Sequence, residues 1–299
     1  MKNDDLRPRR RIQAGLAPVA LSLAAALTAP VPSLAADASF EETDTLEESF
    51  TLPARPGAVV RVCNVEGDVT ARGHDGRELR LVVHETFRGK TRADLDRAKE
   101  KLAVRIDREG DAVDLSVGRP CGCDRDCRND REHDDWDRFG AHHDFELQVP
   151  RRVRVELGTV TGDMTLREHR GDFRLSNVNG SVHALDVAGS GSVTTVNGGL
   201  EVRFAENPRE ATSFRTVNGR VDVTFQPGLA AELAFKTLNG EVYTDLPLKD
   251  GAVARASRDP DRGRHTLRRR WRTAAAGGDA IELSFATVNG DIYLRGGAR

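Results

Sequence analysis

A four-residue pattern recurs along the chain: threonine or asparagine, then valine or leucine, then asparagine in most copies, then glycine. From Gly162 onward its glycines are separated by 18, 18, 21, 21 and 50 residues. A near-constant period of this length is typical of stacked repeat proteins, in which each repeat adds one coil to a common stack. We therefore predict the same structural corner at Gly67, Gly162, Asn179, Gly180, Asn197, Gly198, Asn218, Gly219, Asn239, Gly240, Asn289 and Gly290.

Apolar residues alternate with polar ones on both sides of the pattern. Before the last copy Ile281, Leu283 and Phe285 share one parity, and after it Ile292 and Leu294 share the other. Period-two alternation predicts half-buried strands. The change of parity predicts a bend or bulge at Asn-Gly, where glycine adopts a positive φ at little cost.

Two all-β architectures satisfy this pattern. In a single-stranded β-solenoid, Asn179, Asn197, Asn218 and Asn239 stack in a row with steps of ~4.8 Å, and their amides form a ladder. In an antiparallel meander, each Asn-Gly is a type I′ hairpin turn. Recurrence of the whole tetrapeptide favours the solenoid, because a hairpin does not need Thr-Val before its turn.

The Thr-Val-Asn-Gly corners, each followed by a polar residue and then Val or Ile, resemble those of the bacterial putative-adhesin family, a domain of unknown function with a pectate-lyase-like β-helix. The resemblance covers roughly residues 50–294. It implies a right-handed β-helix, export, and a binding or envelope-associated role, and it carries over no catalytic residues. The chain departs from the family pattern in its Cys-rich insert and in its weak corners at Gly67 and Gly162.

The first 36 residues have the order of a secretory signal peptide: a basic start, an apolar run over 14–31, and small residues at 33–36. A membrane anchor is the alternative, but Pro18, Pro30 and Pro32 interrupt the run. The segment's five basic and two acidic side chains contribute +3, so its removal changes the formal charge from −2 to −5. We expect an exported protein without a membrane span after cleavage, with the periplasm as the first expectation and the cell surface or secretion as alternatives. That charge gives no general attraction to nucleic acid.

Five further segments follow from composition and periodicity. We expect a polar leader over 37–49, a β-rich cap with one helix over 50–118, and a charged, partly disordered Cys/His-rich loop over 119–146. The helix is predicted over 91–104, with Thr91 and Asp94 as a capping box. Solenoid repeats follow over 147–299, interrupted by a basic insertion over 247–280.

Four cysteines offer the main covalent chemistry: Cys63, Cys121, Cys123 and Cys127. Export favours two disulfide bonds, in any of three pairings. Thiolates with nearby histidines are also suitable zinc or copper ligands, but the Cys-x-Cys-x3-Cys spacing does not match known zinc motifs. We predict no metal and no cofactor.

Two charged sets are candidates for ligand contacts. Arg268, Arg270 and Arg272 lie on one side of a predicted strand, where guanidinium groups match phosphate and carboxylate ligands; a solvated strand face is the alternative. Asp163, Glu241 and Asp291 each follow a corner glycine and would fall in one column, with Asp222 nearby. Outward polar residues explain this column better than catalysis does, because Ser181, Gly199 and Arg220 also occupy it.

The sequence predicts a non-catalytic binding or structural module whose partner is an envelope glycan, lipid headgroup or protein. It lacks the nucleophile elbow, the zinc-protease motif and the phosphate-binding loop. A carbohydrate-active β-helix enzyme is one alternative, which rests on analogy of fold. A metal- or redox-responsive envelope sensor that uses the Cys/His loop is another.

Overall fold

The computed structural model describes residues 39–52, 57–118, 137–249, 267–277 and 280–297. These residues form twenty strands and one helix, so the protein is predominantly β. The helix is α1 (Arg92–Leu102). The strands are β1 (Phe40–Thr51), β2 (Val59–Cys63), β3 (Val69–His74), β4 (Glu78–Gly89), β5 (Val104–Glu109), β6 (Ala112–Val117), β7 (Phe139–Pro150), β8 (Arg154–Thr161), β9 (Met164–Arg167), β10 (Phe173–Asn179), β11 (Val182–Val187), β12 (Gly191–Thr194), β13 (Leu200–Phe204), β14 (Thr212–Arg215), β15 (Val221–Phe225), β16 (Ala231–Thr237), β17 (Val242–Thr244), β18 (Leu267–Arg272), β19 (Ile281–Ala286) and β20 (Ile292–Gly296).

The strands form two ten-stranded sheets. Sheet I has the order β1-β4-β7-β3-β9-β11-β13-β15-β20-β17, and sheet II the order β18-β16-β19-β14-β12-β10-β8-β2-β6-β5. From β8 to β17 the chain alternates between the sheets, and each strand pairs in parallel with the next-but-one strand or with β19 or β20. We call a strand of sheet II, its corner and the following strand of sheet I a rung.

Every Asn-Gly corner joins a strand of sheet II to a strand of sheet I. For example, Asn197 and Gly198 lie between β12 and β13, which belong to different sheets. The hairpin interpretation is therefore wrong, because a type I′ turn joins two antiparallel neighbours within one sheet. The flanking side chains point inward from both sheets, which is why apolar parity changes across the corner.

The last rung in the sequence is not the last rung in space. Strands β19 and β20 lie between the β14–β15 rung and the β16–β17 rung in both sheets. The row of asparagines therefore runs 179, 197, 218, 289, 239, and Asn239 is not the direct neighbour of Asn218. The prediction of a simple sequential row was wrong at this point. The 50-residue spacing arises because the chain forms the outer rung β16–β17 first and then returns to place β19 and β20 inside it.

The amino-terminal end is interleaved in the same way. The β2–β3 rung lies between strands β6 and β7 on one side and the β8–β9 rung on the other. Antiparallel strands then close this end: β4 and β1 extend sheet I beyond β7, and β5 extends sheet II beyond β6. Residues 50–118 thus contribute a rung and two of the three closing strands, β4 and β5.

Two segment predictions need correction. The expected polar leader over 37–49 is largely strand β1, which pairs with β4 along its whole length. Its alternate residues Leu46 and Phe50 pack against the core, while Lys99 of α1 forms ion pairs with Glu42 and Asp44. Of the expected loop over 119–146, residues 119–136 lie outside the described residues, and the part from Phe139 onward is strand β7, in which alternate residues are buried from His143 to Val149.

One apolar core runs between the two sheets from Leu52 to Leu294. Stacked phenylalanine rings mark its carboxyl-terminal half, where Phe214, Phe285 and Phe235 follow one another with centroid separations of 5.1 and 5.3 Å. Helix α1 packs on β4 and β7 through a second cluster that includes Phe87 and Leu95. Its N-cap is Thr91, whose hydroxyl accepts a hydrogen bond from Asp94 N.

Candidate binding surface

The first residue of each corner is buried, and its side chain bonds to the neighbouring rung in every corner except that of Thr237, whose Oγ1 has no hydrogen-bond partner among the described residues. Thr195 Oγ1 donates to Gly180 O at 3.0 Å, and Thr216 Oγ1 donates to Gly198 O at 3.0 Å. Asn177 occupies the equivalent position and donates through Nδ2 to Gly162 O at 2.8 Å. Each bond satisfies a corner carbonyl that would otherwise lack a donor. The first residue of the repeat therefore has a structural role.

The fourth residue is glycine because the rungs approach too closely for a side chain. A Cβ at any of the seven corner glycines would overlap a backbone carbonyl of the adjacent rung. At Gly180 the conformation adds a second reason, since φ is 145°. The glycines predicted to share one corner lie one above another in the stack: Gly67, Gly162, Gly180, Gly198, Gly219, Gly240 and Gly290.

The third residue forms a ladder of side-chain amides. Asn197 Nδ2 donates to Asn179 Oδ1 at 2.8 Å, and Asn218 Nδ2 donates to Asn197 Oδ1 at 2.8 Å. The ladder continues through Asn289 to Asn239, at 2.7 and 2.8 Å. Each of the three interior amides, those of Asn197, Asn218 and Asn289, uses one N–H and one lone pair within the ladder and keeps a second N–H and lone pair for solvent or a ligand.

The second residue of the corner is aliphatic although it points outward. Val178, Val196, Val217 and Val288 are 36–38% exposed. They stand side by side because the asparagines that follow them pair in parallel. The corner edge therefore presents a row of aliphatic groups beside a row of amides.

The acidic residues that follow the corner glycines accept hydrogen bonds from backbone N–H groups of the next rung. Asp163 Oδ1 accepts a hydrogen bond from Ser181 N at 2.8 Å, and Asp291 Oδ1 accepts one from Glu241 N at 2.9 Å. Asp68 accepts in the same way from Asp163 N at 2.7 Å. Three rungs separate Asp163 from Asp291, and each of these carboxylates is bound to a backbone N–H of the next rung.

Two of the three arginines proposed for anion binding share one acidic partner. Arg270 and Arg272 lie on β18 and form ion pairs with Glu232 at 3.1 and 3.5 Å. Arg268 lies opposite Lys236 in the register of β18 and β16. Glu232 offsets part of the positive charge, and anion binding by this strand stays a prediction.

Cys63 is disulfide-bonded and lies almost fully buried at the end of β2. Cys121, Cys123 and Cys127 lie outside the described residues, so the pairing stays a prediction. Within the described residues no three His, Cys, Asp or Glu side chains are placed to hold a metal ion.

An aromatic column on the outer face of sheet I was not predicted from the sequence. The chain has two tyrosines, and Tyr243 and Tyr293 stack on each other with centroids 4.8 Å apart. The Arg220 guanidinium lies 3.8 Å from the Tyr293 centroid. Glu241 accepts a hydrogen bond from the Tyr243 hydroxyl at 2.6 Å and raises the pKa of Tyr243 to about 12. Both tyrosines stand three residues after a corner glycine, and alignment of the repeats on that glycine would have paired them.

His169 is fully buried in the turn between β9 and β10. Burial lowers the pKa of this imidazole from 6.5 to about 4. The unfolded chain therefore binds a proton between pH 6.5 and pH 4 that the folded chain does not, and stability falls as the pH falls through this range.

We expect the unfolding free energy to fall by about 2 kcal/mol between pH 7 and pH 5 because of His169 alone. In His169→Gln this part of the pH dependence should disappear, because glutamine does not titrate. Urea unfolding of both proteins at the two pH values measures the difference. Parallel losses in the two proteins would contradict the prediction.

None of the described helices has the length and apolar character needed to cross a membrane. No protein-family model and no curated protein matches the sequence. Among solved structures, similarity extends to a putative cell adhesion protein from Clostridium sporogenes, at 11% identity over 85% of this chain and 100% of that chain, with a TM-score of 0.39. It extends also to putative adhesins from Bacteroides fragilis (11% identity, 84% and 96% covered, TM-score 0.37) and Parabacteroides merdae (8%, 85% and 96%, TM-score 0.26).

Proposed function

We propose that the chain is an exported, non-catalytic binding module of the cell envelope, built on a right-handed β-solenoid. The observation that carries this proposal is the shared use of one corner by seven rungs in continuous parallel register. Right-handed winding is expected, because parallel connections within one sheet are right-handed in nearly all proteins. The signal-like segment at residues 1–36 supports export, with the periplasm as the first expectation.

The roles of the repeated residues support binding rather than catalysis. Threonine, glycine and the first aspartate after the corner hold neighbouring rungs together. The groups that remain outward form regular rows: aliphatic side chains and amides at the corner edge, and charged or aromatic side chains on sheet I. Rows held on a rigid scaffold bind extended or repetitive partners without a large ordering cost.

We expect the chain from residue 37 onward to bind at least one envelope component saturably and without turnover. Neutral and acidic polysaccharides, vesicles with anionic phospholipids, and envelope protein extracts are the three partner classes to immobilise. Binding is followed by surface plasmon resonance, and the supernatants are assayed for new reducing ends and unsaturated sugars. Product formation that scales with protein concentration would replace this proposal with a carbohydrate-active enzyme.

A charge variant separates the candidate surfaces in the same assay. Arg270→Gln with Arg272→Gln removes two exposed positive charges from sheet II and leaves the corner edge and sheet I unchanged. An anionic ligand that binds through β18 should lose about tenfold in affinity and most of its dependence on salt. A ligand bound elsewhere should not respond.

A further inference from the structure

Three of the four sheet ends close with an antiparallel strand. At the amino-terminal end β4 and β1 close sheet I and β5 closes sheet II; at the other end β18 closes sheet II. Sheet I ends at the other end with β17, which pairs in parallel with β20. Within the described residues no strand lies on the far side of β17.

The free edge of β17 presents backbone hydrogen-bonding groups. Ile292 N donates to Glu241 O at 2.9 Å, and Asp245 N donates to Leu294 O at 3.3 Å, so the odd-numbered residues face β20. In a parallel pair the intervening residues point their N–H and C=O groups the other way. Val242 and Thr244 therefore direct theirs away from the sheet, which is the arrangement that accepts an added strand.

The aromatic column ends at the same edge. Arg220 and Tyr243 lie on opposite sides of the Tyr293 ring, because β15 and β17 flank β20. The order is therefore Arg220, Tyr293, Tyr243. No described aromatic or cationic side chain stacks on the far face of Tyr243, and this residue is 45% exposed. Among the described residues, none occupies the position that continues the column beyond Tyr243.

The charge around that position is negative. Glu241 contacts the Tyr243 hydroxyl, and Asp291 and Asp245 lie in the adjacent rung and at the end of β17. The fourth carboxylate, Asp222, is already paired with Arg220 and Arg295. A group that stacks on Tyr243 is therefore favoured when it is cationic, and Arg220 over Tyr293 demonstrates this contact within the protein.

We propose that β17 receives an extended basic segment of a partner polypeptide as an added strand, with an arginine side chain stacked on Tyr243. The strand satisfies the outward backbone groups of Val242 and Thr244, and the guanidinium group meets the aromatic face and the surrounding carboxylates. This inference rests on the proposed binding function and specifies a partner class for it.

The test uses the chain from residue 37 onward and an acetylated, amidated hexapeptide of alternating valine and arginine. We expect saturable binding by calorimetry that weakens with added salt, and slower hydrogen exchange at the Val242 and Thr244 amides when the peptide is bound. Tyr243→Leu should weaken binding about tenfold, as should replacement of the peptide's arginines by citrulline, which keeps the shape and removes the charge.

Phe40→Leu is the matched control. Phe40 is an exposed aromatic residue of β1, the edge strand at the opposite end of sheet I, and its replacement should leave the affinity unchanged. Circular dichroism and thermal unfolding establish that Tyr243→Leu keeps its fold. Equal binding by Tyr243→Leu, equal binding of the citrulline peptide, or full protection of the Val242 and Thr244 amides without peptide would each overturn the proposal. None of these results affects a glycan or lipid ligand found on another face, so the wider function is judged separately.

Discussion

Gly198→Ala is expected to destabilise the protein by about 3–5 kcal/mol, as much as the loss of a large core side chain. The added methyl group overlaps the Gly180 carbonyl of the neighbouring rung. Neither group can rotate away, because the backbone fixes the position of the Cβ and the carbonyl is itself part of the backbone. The Asn197 N–H bond to Val178 O, at 2.7 Å, and the Gly180 N–H bond to Asn197 O, at 2.9 Å, hold the two rungs at this separation. Relief of the overlap stretches or breaks these bonds.

The next residue supplies a control of identical chemistry. A methyl group at Gly199 would meet only Arg220 O, at 3.6 Å, which is an ordinary contact. Gly199→Ala should therefore change the unfolding free energy by less than about 0.5 kcal/mol. Chemical denaturation of the two variants measures the contrast between neighbouring glycines. Equal losses of unfolding free energy would indicate that alanine destabilises this segment in general, rather than through the contact between stacked corners.

The repeat predicted the local structure well because each of its four residues is set by a local structural requirement. Parity on either side of Asn-Gly indicated strands and a bend, and the recurrence of asparagine indicated a ladder. The amides of Asn197 and Asn218 make that ladder at 2.8 Å. The role of the first residue of the repeat could not be predicted from the sequence. The hydrogen bond from Thr195 to the Gly180 carbonyl exists only when the rungs are stacked.

The order of the rungs could not be predicted from the sequence, for a physical reason. Every rung has the same inward pattern, so a strand such as β19 fits equally well at several positions in the stack. Only the antiparallel strand β18 and the long excursion before β19 distinguish the end of the stack from its interior. The stacked tyrosines did not depend on that order, since Tyr243 and Tyr293 belong to consecutive repeats that become neighbours whichever rung is outermost. Alignment of the repeats on the corner glycine is enough to pair them.

A chain that stops after Ala280 should lose most of its stability, although it lacks only the last 19 residues. The deletion removes β19 and β20, whose side chains Leu283, Phe285, Ile292 and Leu294 are all fully buried. Burial of four such side chains contributes about 6–12 kcal/mol, which is comparable to the total stability of a typical domain. In a stack that followed sequence order, the same deletion would remove an outer rung only.

The β16–β17 rung decides between these outcomes. It contacts the stack through β19 and β20, so in the truncated chain residues 231–249 and 267–277 should be cleaved by limiting amounts of protease, and the melting temperature should fall by well over 10 °C. Deletion through Thr51 is the control: it removes the longer strand β1, which pairs with β4 alone and buries no side chain completely, and should cost far less. If residues 231–249 and 267–277 of the truncated chain stay protected and its melting temperature resembles that of the β1 deletion, β16 and β17 pair with β14 and β15 instead. The interleaved rung would then be dispensable, and the stability of this end would come from its outer strands.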